Sequence, residues 1–110
     1  MHIDPVAMAA AVCNDLPWDL AYENTLNFKH HSTASFLEKV SQAAYSTVPS
    51  SYVLCEEDLV VSPEKQGGFV KVLEEAGREV RVVRLKSGHC PNWSMSERLA
   101  EVVGELAMEG

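Results

Sequence analysis

Two short runs of strand-forming residues flank a helical pattern in the second half of the chain, and this order constrains the fold more than any other feature. Tyr52, Val53, Leu54 and Cys55 form the first run, compact and rich in strand-favouring types. Glu79–Leu85 forms the second, with Val80 and Val82 on one side and Val83 and Leu85 on the other, the pattern of a strand covered on both faces. Between them, Ser62 suits an N-cap and Pro63 the first helical turn, followed by an apolar stripe of Phe69, Val70, Leu73 and Ala76 and by Gly77 at the C-terminal end. The spacing predicts a helix over Pro63–Ala76 and two parallel strands joined by a right-handed crossover. Gly67 and Gly68 oppose this helix by roughly 1 kcal/mol each relative to alanine, which predicts close packing there or a late helix start.

Each run ends in residues with chemical capacity. Glu56, Glu57 and Asp58 follow the first, and Ser87, Gly88 and His89 the second. Functional side chains in α/β proteins collect at the C-terminal edge of parallel strands. An acid and a histidine are therefore expected to meet there.

The remaining chain reads as helical. Asp4-Pro5 opens a helix running to about Cys13, and Asn14-Asp15-Leu16-Pro17 breaks it. Trp18–Asn27 carries Trp18, Ala21, Tyr22 and Leu26 at helical spacing, and Ser35–Tyr45 carries Phe36, Leu37, Val40 and Ala44 on one face. Ser94-Met95-Ser96-Glu97 has the pattern of a capping box and opens a last helix over Met95–Met108, with Leu99, Val102, Val103 and Leu106 inward. The fold class is α/β, divided into a helical segment at 1–47 and a β-α-β-α segment at 48–110.

Charge and cysteines narrow the partners. The 110 residues carry a formal net charge of −7, which argues against nucleic acid, since that partner requires a basic patch. No apolar run reaches membrane-spanning length and no signal-peptide pattern opens the chain, so neither membrane association nor secretion is expected. Cys13, Cys55 and Cys90 are odd in number and far apart, as reduced thiols of a cytoplasmic protein are. No ligand spacing accompanies His89-Cys90, so no metal and no cofactor are expected.

The residues Pro49–Asp58, Pro63-Glu64-Lys65-Gln66 and Gly88-His89-Cys90-Pro91, with Ser94 and Glu97, resemble the C-terminal part of α/β-hydrolases. The nearest group is that of small fungal and bacterial esterase-like proteins, akin to the plant methylesterase and hydroxynitrile lyase branch. The resemblance covers nearly the whole chain. Residues 1–47 look like that group's helical cap, and 48–110 like its last two strands and helices, a partial α/β-hydrolase fold. The resemblance implies a triad in the chain order Ser, Asp, His, with Asp58 in the acid's place and His89 in the histidine's. It also implies a small-molecule ester substrate.

The chain departs from that pattern by having no Gly-x-Ser-x-Gly elbow and no glycine-rich oxyanion loop; both are expected upstream of residue 1. None of its serines sits in a strand–elbow–helix context. Two functions follow. One is the C-terminal portion of a serine esterase-like hydrolase that supplies the triad acid and histidine, with the nucleophile elsewhere. The other is a free-standing truncated relative, either a small-molecule binding protein or an acid–base catalyst of the isomerase or cyclase type. An incomplete sheet predicts a homodimer or a complementing N-terminal half as partner.

Blander readings stand beside these. Asp58 has the alternative of a solvated carboxylate that terminates its strand, Glu57 is an adjacent rival for its place, and His89 has the alternative of an ordinary loop histidine. His30 and His31 read as surface residues and Cys55 as a buried strand residue. Cys90 is either a thiol activated by a protonated His89 or a packing residue; packing is expected. Trp18, Phe28, Phe36 and Trp93 are expected in lid and core packing rather than in a substrate pocket.

Overall fold

A computed structural model describes residues 4–29, 32–76 and 79–109. Helices α1 (Pro5–Val12) and α2 (Trp18–Thr25) are followed by a single turn α3 (Ala34–Leu37) and a 3-10 turn at Ala44–Ser46. Then come strand β1 (Ser51–Cys55), helix α4 (Pro63–Glu75), strand β2 (Arg81–Leu85), the single turn α5 (Pro91–Ser94) and helix α6 (Ser96–Glu109). The architecture is α/β. His30, His31 and Gly77 lie outside the described residues, so the expectations placed on them have no structural counterpart here.

β1 and β2 pair in parallel, from Ser51 opposite Arg81 to Cys55 opposite Leu85. Strand alternation puts Tyr52, Leu54, Val82 and Arg84 on one face of this sheet. Leu54, Val82 and Arg84 line a recess together with Gly67, Val70, Lys71 and Glu74 of α4, so α4 covers that face. Arg81, of the opposite parity, pairs with Glu109 of α6. The buried parts of both strands are their C-terminal ends, at Leu54, Cys55 and Leu85. A second small core, Ala9, Val12, Cys13 and Ala21, joins α1 to α2, with Met8, Leu16, Phe28 and Cys90 packed around it.

The N-terminal caps form as their sequences dictate. Asp4 accepts from the Val6 and Ala7 amides, and Ser62 from the Lys65 amide, each satisfying donors that a helix start leaves open. Three expectations need correction. Ser35–Tyr45 is not one helix: Glu38 turns to extended backbone (φ −82, ψ 145) after α3. Leu37 and Val40 remain 79% and 83% exposed, and without burial a short helix is marginal in water. Next, α4 begins at Pro63 on schedule, yet nothing lies within 4 Å of where a Cβ would sit on Gly67 or Gly68, so neither a late start nor close packing accounts for them. Finally, the capping box at Ser94 does not form. Ser94 closes α5, its hydroxyl is buried without a hydrogen-bond partner, and α6 starts at Ser96.

Candidate functional site

The parallel register sets the two strand ends side by side, and the backbone continues that pairing one step further. The Glu56 amide donates to Leu85 O at 2.8 Å and the Glu57 amide to Ser87 O at 3.0 Å. The acid-bearing and histidine-bearing loops therefore leave the sheet tied together. Asp58 and His89 face each other, Asp58 Oδ2 lying 2.9 Å from His89 Nδ1. The other carboxylate oxygen, Oδ1, accepts from the amides of Val60 at 2.8 Å and Val61 at 3.0 Å. Both oxygens are thus engaged, and turning the carboxylate away from the ring would break these hydrogen bonds.

Asp58 is buried, with 6% of its surface exposed, whereas the His89 side chain is 36% exposed. Burial by itself raises the Asp58 carboxyl. The hydrogen bonds from His89 and from the Val61 and Val60 amides, with the field of the imidazole, outweigh it and hold the group below its ordinary value. An ionised Asp58 accepts from Nδ1–H of His89, which leaves the Nε2 lone pair available as a base. This arrangement is able to hold the ring in one tautomer and to stabilise its protonated form.

The neighbours of the pair are accounted for. Glu57 is exposed, and its backbone, not its carboxylate, takes part in the loop contacts. The Glu56 carboxylate lies 3.7 Å from Arg84 at the surface. Cys55 is buried at the strand end. Cys90 packs on the α1–α2 core, and burial, with the fields of Cys13, Asp58, Asp15 and Cys55, pushes its thiol up to about 11. That corrects the activated-thiol alternative, because the surrounding charge is negative and burial disfavours the thiolate. Phe28 and Trp93 pack with ring centroids 5.6 Å apart. Trp18 and Phe36, by contrast, are 55% and 66% exposed and lie outside any core. Among the described residues no group of three His, Cys, Asp or Glu is placed to hold a metal ion. No helix among them is long and apolar enough to cross a membrane.

Three residues at the site escaped the sequence reading. Gln66, 2% exposed, binds both backbone groups of Cys55 at 2.9 Å and also donates to Val61 O at 2.9 Å. It thereby fixes the segment that presents Asp58. Its signal was a polar residue at an inward position, one turn before Val70 on the apolar stripe of α4. Asn14 and Asp15 read as a helix break, but Asn14 Nδ2 donates to Glu57 O and Asp15 Oδ2 accepts from the Gly88 amide, each at 2.8 Å. Nothing local in the sequence announces contacts so distant along the chain.

Against known proteins, the chain is similar to the protein named "Probable hydrolase R7" of Phoma sp., at 62% identity over 108 residues, or 97% of this chain. It spans 44% of that protein's length. No family model matches the chain, and no solved structure matches it significantly.

Proposed function

We propose that this chain is the acid–base portion of an α/β-hydrolase acting on a small ester, with Asp58 and His89 as two members of a catalytic triad. The observation that carries the reading is the 2.9 Å contact between Asp58 Oδ2 and His89 Nδ1 at the ends of adjacent parallel strands. The similarity to a hydrolase over almost the whole chain supports it. In this reading His89 Nε2 takes the proton of a serine hydroxyl as that oxygen attacks the ester carbonyl, and then returns it to the leaving alcohol. Asp58 fixes the tautomer and stabilises the imidazolium. The serine and the oxyanion-binding amides come from sequence beyond the 110 residues, since these contain no Gly-x-Ser-x-Gly.

The test is reconstitution. This chain is combined with the part of the Phoma protein outside the matched span, and hydrolysis of p-nitrophenyl esters is followed. The pair should hydrolyse a short-chain ester that neither piece hydrolyses alone. Asp58→Asn should lower kcat by about 10⁴-fold, the size of the effect when a triad acid is neutralised, and His89→Ala should abolish the reaction. A folded, associated pair with no activity on any such ester would overturn the proposal.

A second reading is favoured by one observation: the acid–base pair is complete within this chain, with His89 partly open to solvent. Such a pair can serve proton transfer alone, worth roughly 10²–10⁴-fold for a positioned base. Turnover of an isomerisable carbonyl compound by this chain by itself, lost in His89→Ala, would select this reading over the first.

A further inference from the structure

We propose that Asn14 and Asp15, in the turn between α1 and α2, are positioning residues that clasp the two loops carrying Asp58 and His89 and set the geometry of the pair. The inference rests on the acid–base reading of those two residues. Each side chain holds the residue immediately before a member of the pair. Asn14 Nδ2 donates to the carbonyl of Glu57, and Asp15 Oδ2 accepts from the amide of Gly88, both at 2.8 Å. These contacts span 43 and 73 residues of sequence. An Asn-Asp pair in a turn ordinarily serves local backbone. Here α2 is preceded by Pro17 and has no side-chain cap, so local capping does not explain Asp15.

Gly88 is shaped for the clasp. A Cβ there would collide with Asn14 Oδ1 and lie 2.8 Å from Asp15 Oδ1. A side chain at position 88 would therefore have to displace the two side chains that form the clasp. The α1–α2 unit is further anchored to the segment after His89 by Cys90, packed on its core, and by the Phe28–Trp93 contact. The helical hairpin is thus fastened to the reactive loops at several points. The bond to the Gly88 amide has a carboxylate as acceptor, the stronger class of hydrogen bond, so its loss should be felt one residue away.

Nitrogen and proton NMR of the His89 side chain in this chain reads the effect without any substrate. The parent should show the Nδ1–H tautomer with a slowly exchanging Nδ1 proton. Asp15→Ala should keep the chain folded by circular dichroism, mix the tautomers and speed exchange of that proton roughly tenfold or more, the scale of one charge-assisted hydrogen bond. Asp15→Asn, which keeps an acceptor oxygen, should restore the parent signature. If Asp15→Ala fails to fold, Asn14→Ala applies the same test from the Glu57 side and should loosen the signature likewise. A parent signature unmoved in the folded variants overturns the clasp alone. A parent that lacks the Nδ1–H tautomer overturns the acid–base reading and the clasp with it.

Discussion

Asp58 divides its two oxygens between backbone and imidazole, and this division is what a solvated strand-terminal carboxylate would lack. Its lowered pKa makes a signed prediction. A carboxyl whose folded value lies below its unfolded value, ordinarily 3.8, binds fewer protons in the native state. It therefore contributes stability that is present above that ordinary value and lost as the pH falls through the lowered one. Urea unfolding of the parent and of Asp58→Asn should show the parent ahead near pH 7. The gap should narrow as the pH falls below that ordinary value and the native carboxylate protonates in its turn. A gap independent of pH would mean that the charge of Asp58 contributes nothing and that only the shape of its side chain matters. That an acid and a histidine would stand at the two strand ends was legible in the abrupt changes from apolar to polar residues, whereas the choice of Asp58 over Glu57 came from the resemblance to α/β-hydrolases. Their supports were not, since Gln66, Asn14 and Asp15 act through contacts made only once α4, the strands and the α1–α2 turn are assembled.

Among the elements, those whose periodic residues find cover formed as expected and those without cover did not. β1, α4, β2 and α6 bury Leu54, Val70, Leu85 and Val102 respectively, and each was readable from its spacing. The stretch Ser35–Tyr45 has equally regular spacing but leaves Leu37 and Val40 exposed, so periodicity alone did not make a helix there. The two glycines of α4 are a case where local propensity opposes an element that tertiary contacts hold in place. Gly68 is exposed, lies inside the helix, and would place a Cβ in open space. Gly68→Ala should therefore stabilise the chain by about 0.5–1 kcal/mol, from the reduced backbone entropy of the unfolded state. Urea unfolding measures this directly. A loss of stability instead would show that another surface packs against α4 at this point in solution, leaving no room for a methyl group.

At the scale of the whole molecule, the chain is less compact than its length allows. Its radius of gyration is 15.6 Å, against about 13 Å for a single compact domain of this size. The sheet has two strands, and among the described residues the outer edge of each has no strand beside it. Unpaired strand edges offer rows of backbone donors and acceptors to another chain. Near β1, Tyr45, Tyr52, Phe69, Val72 and Leu73 line an apolar recess of about 400 Å³, with Phe69 and Val72 52% and 45% exposed. The α1–α2 hairpin does not close this surface, because its contacts are with the loops beyond the strands' C-terminal ends. The net charge of −7 favours solubility but cannot satisfy an open edge or cover an apolar recess. We therefore predict that the isolated chain self-associates at micromolar concentration, as a two-fold dimer that pairs these surfaces. The part of the Phoma protein outside the matched span should displace that dimer into a one-to-one complex. Sedimentation velocity should give the dimer's mass, and Phe69→Glu should shift the chain toward monomer with little loss of its own stability, since that ring is more than half exposed already. A monomer that binds no hydrophobic dye would show instead that the chain shields the recess by itself, and the incomplete-sheet account of its architecture would fall.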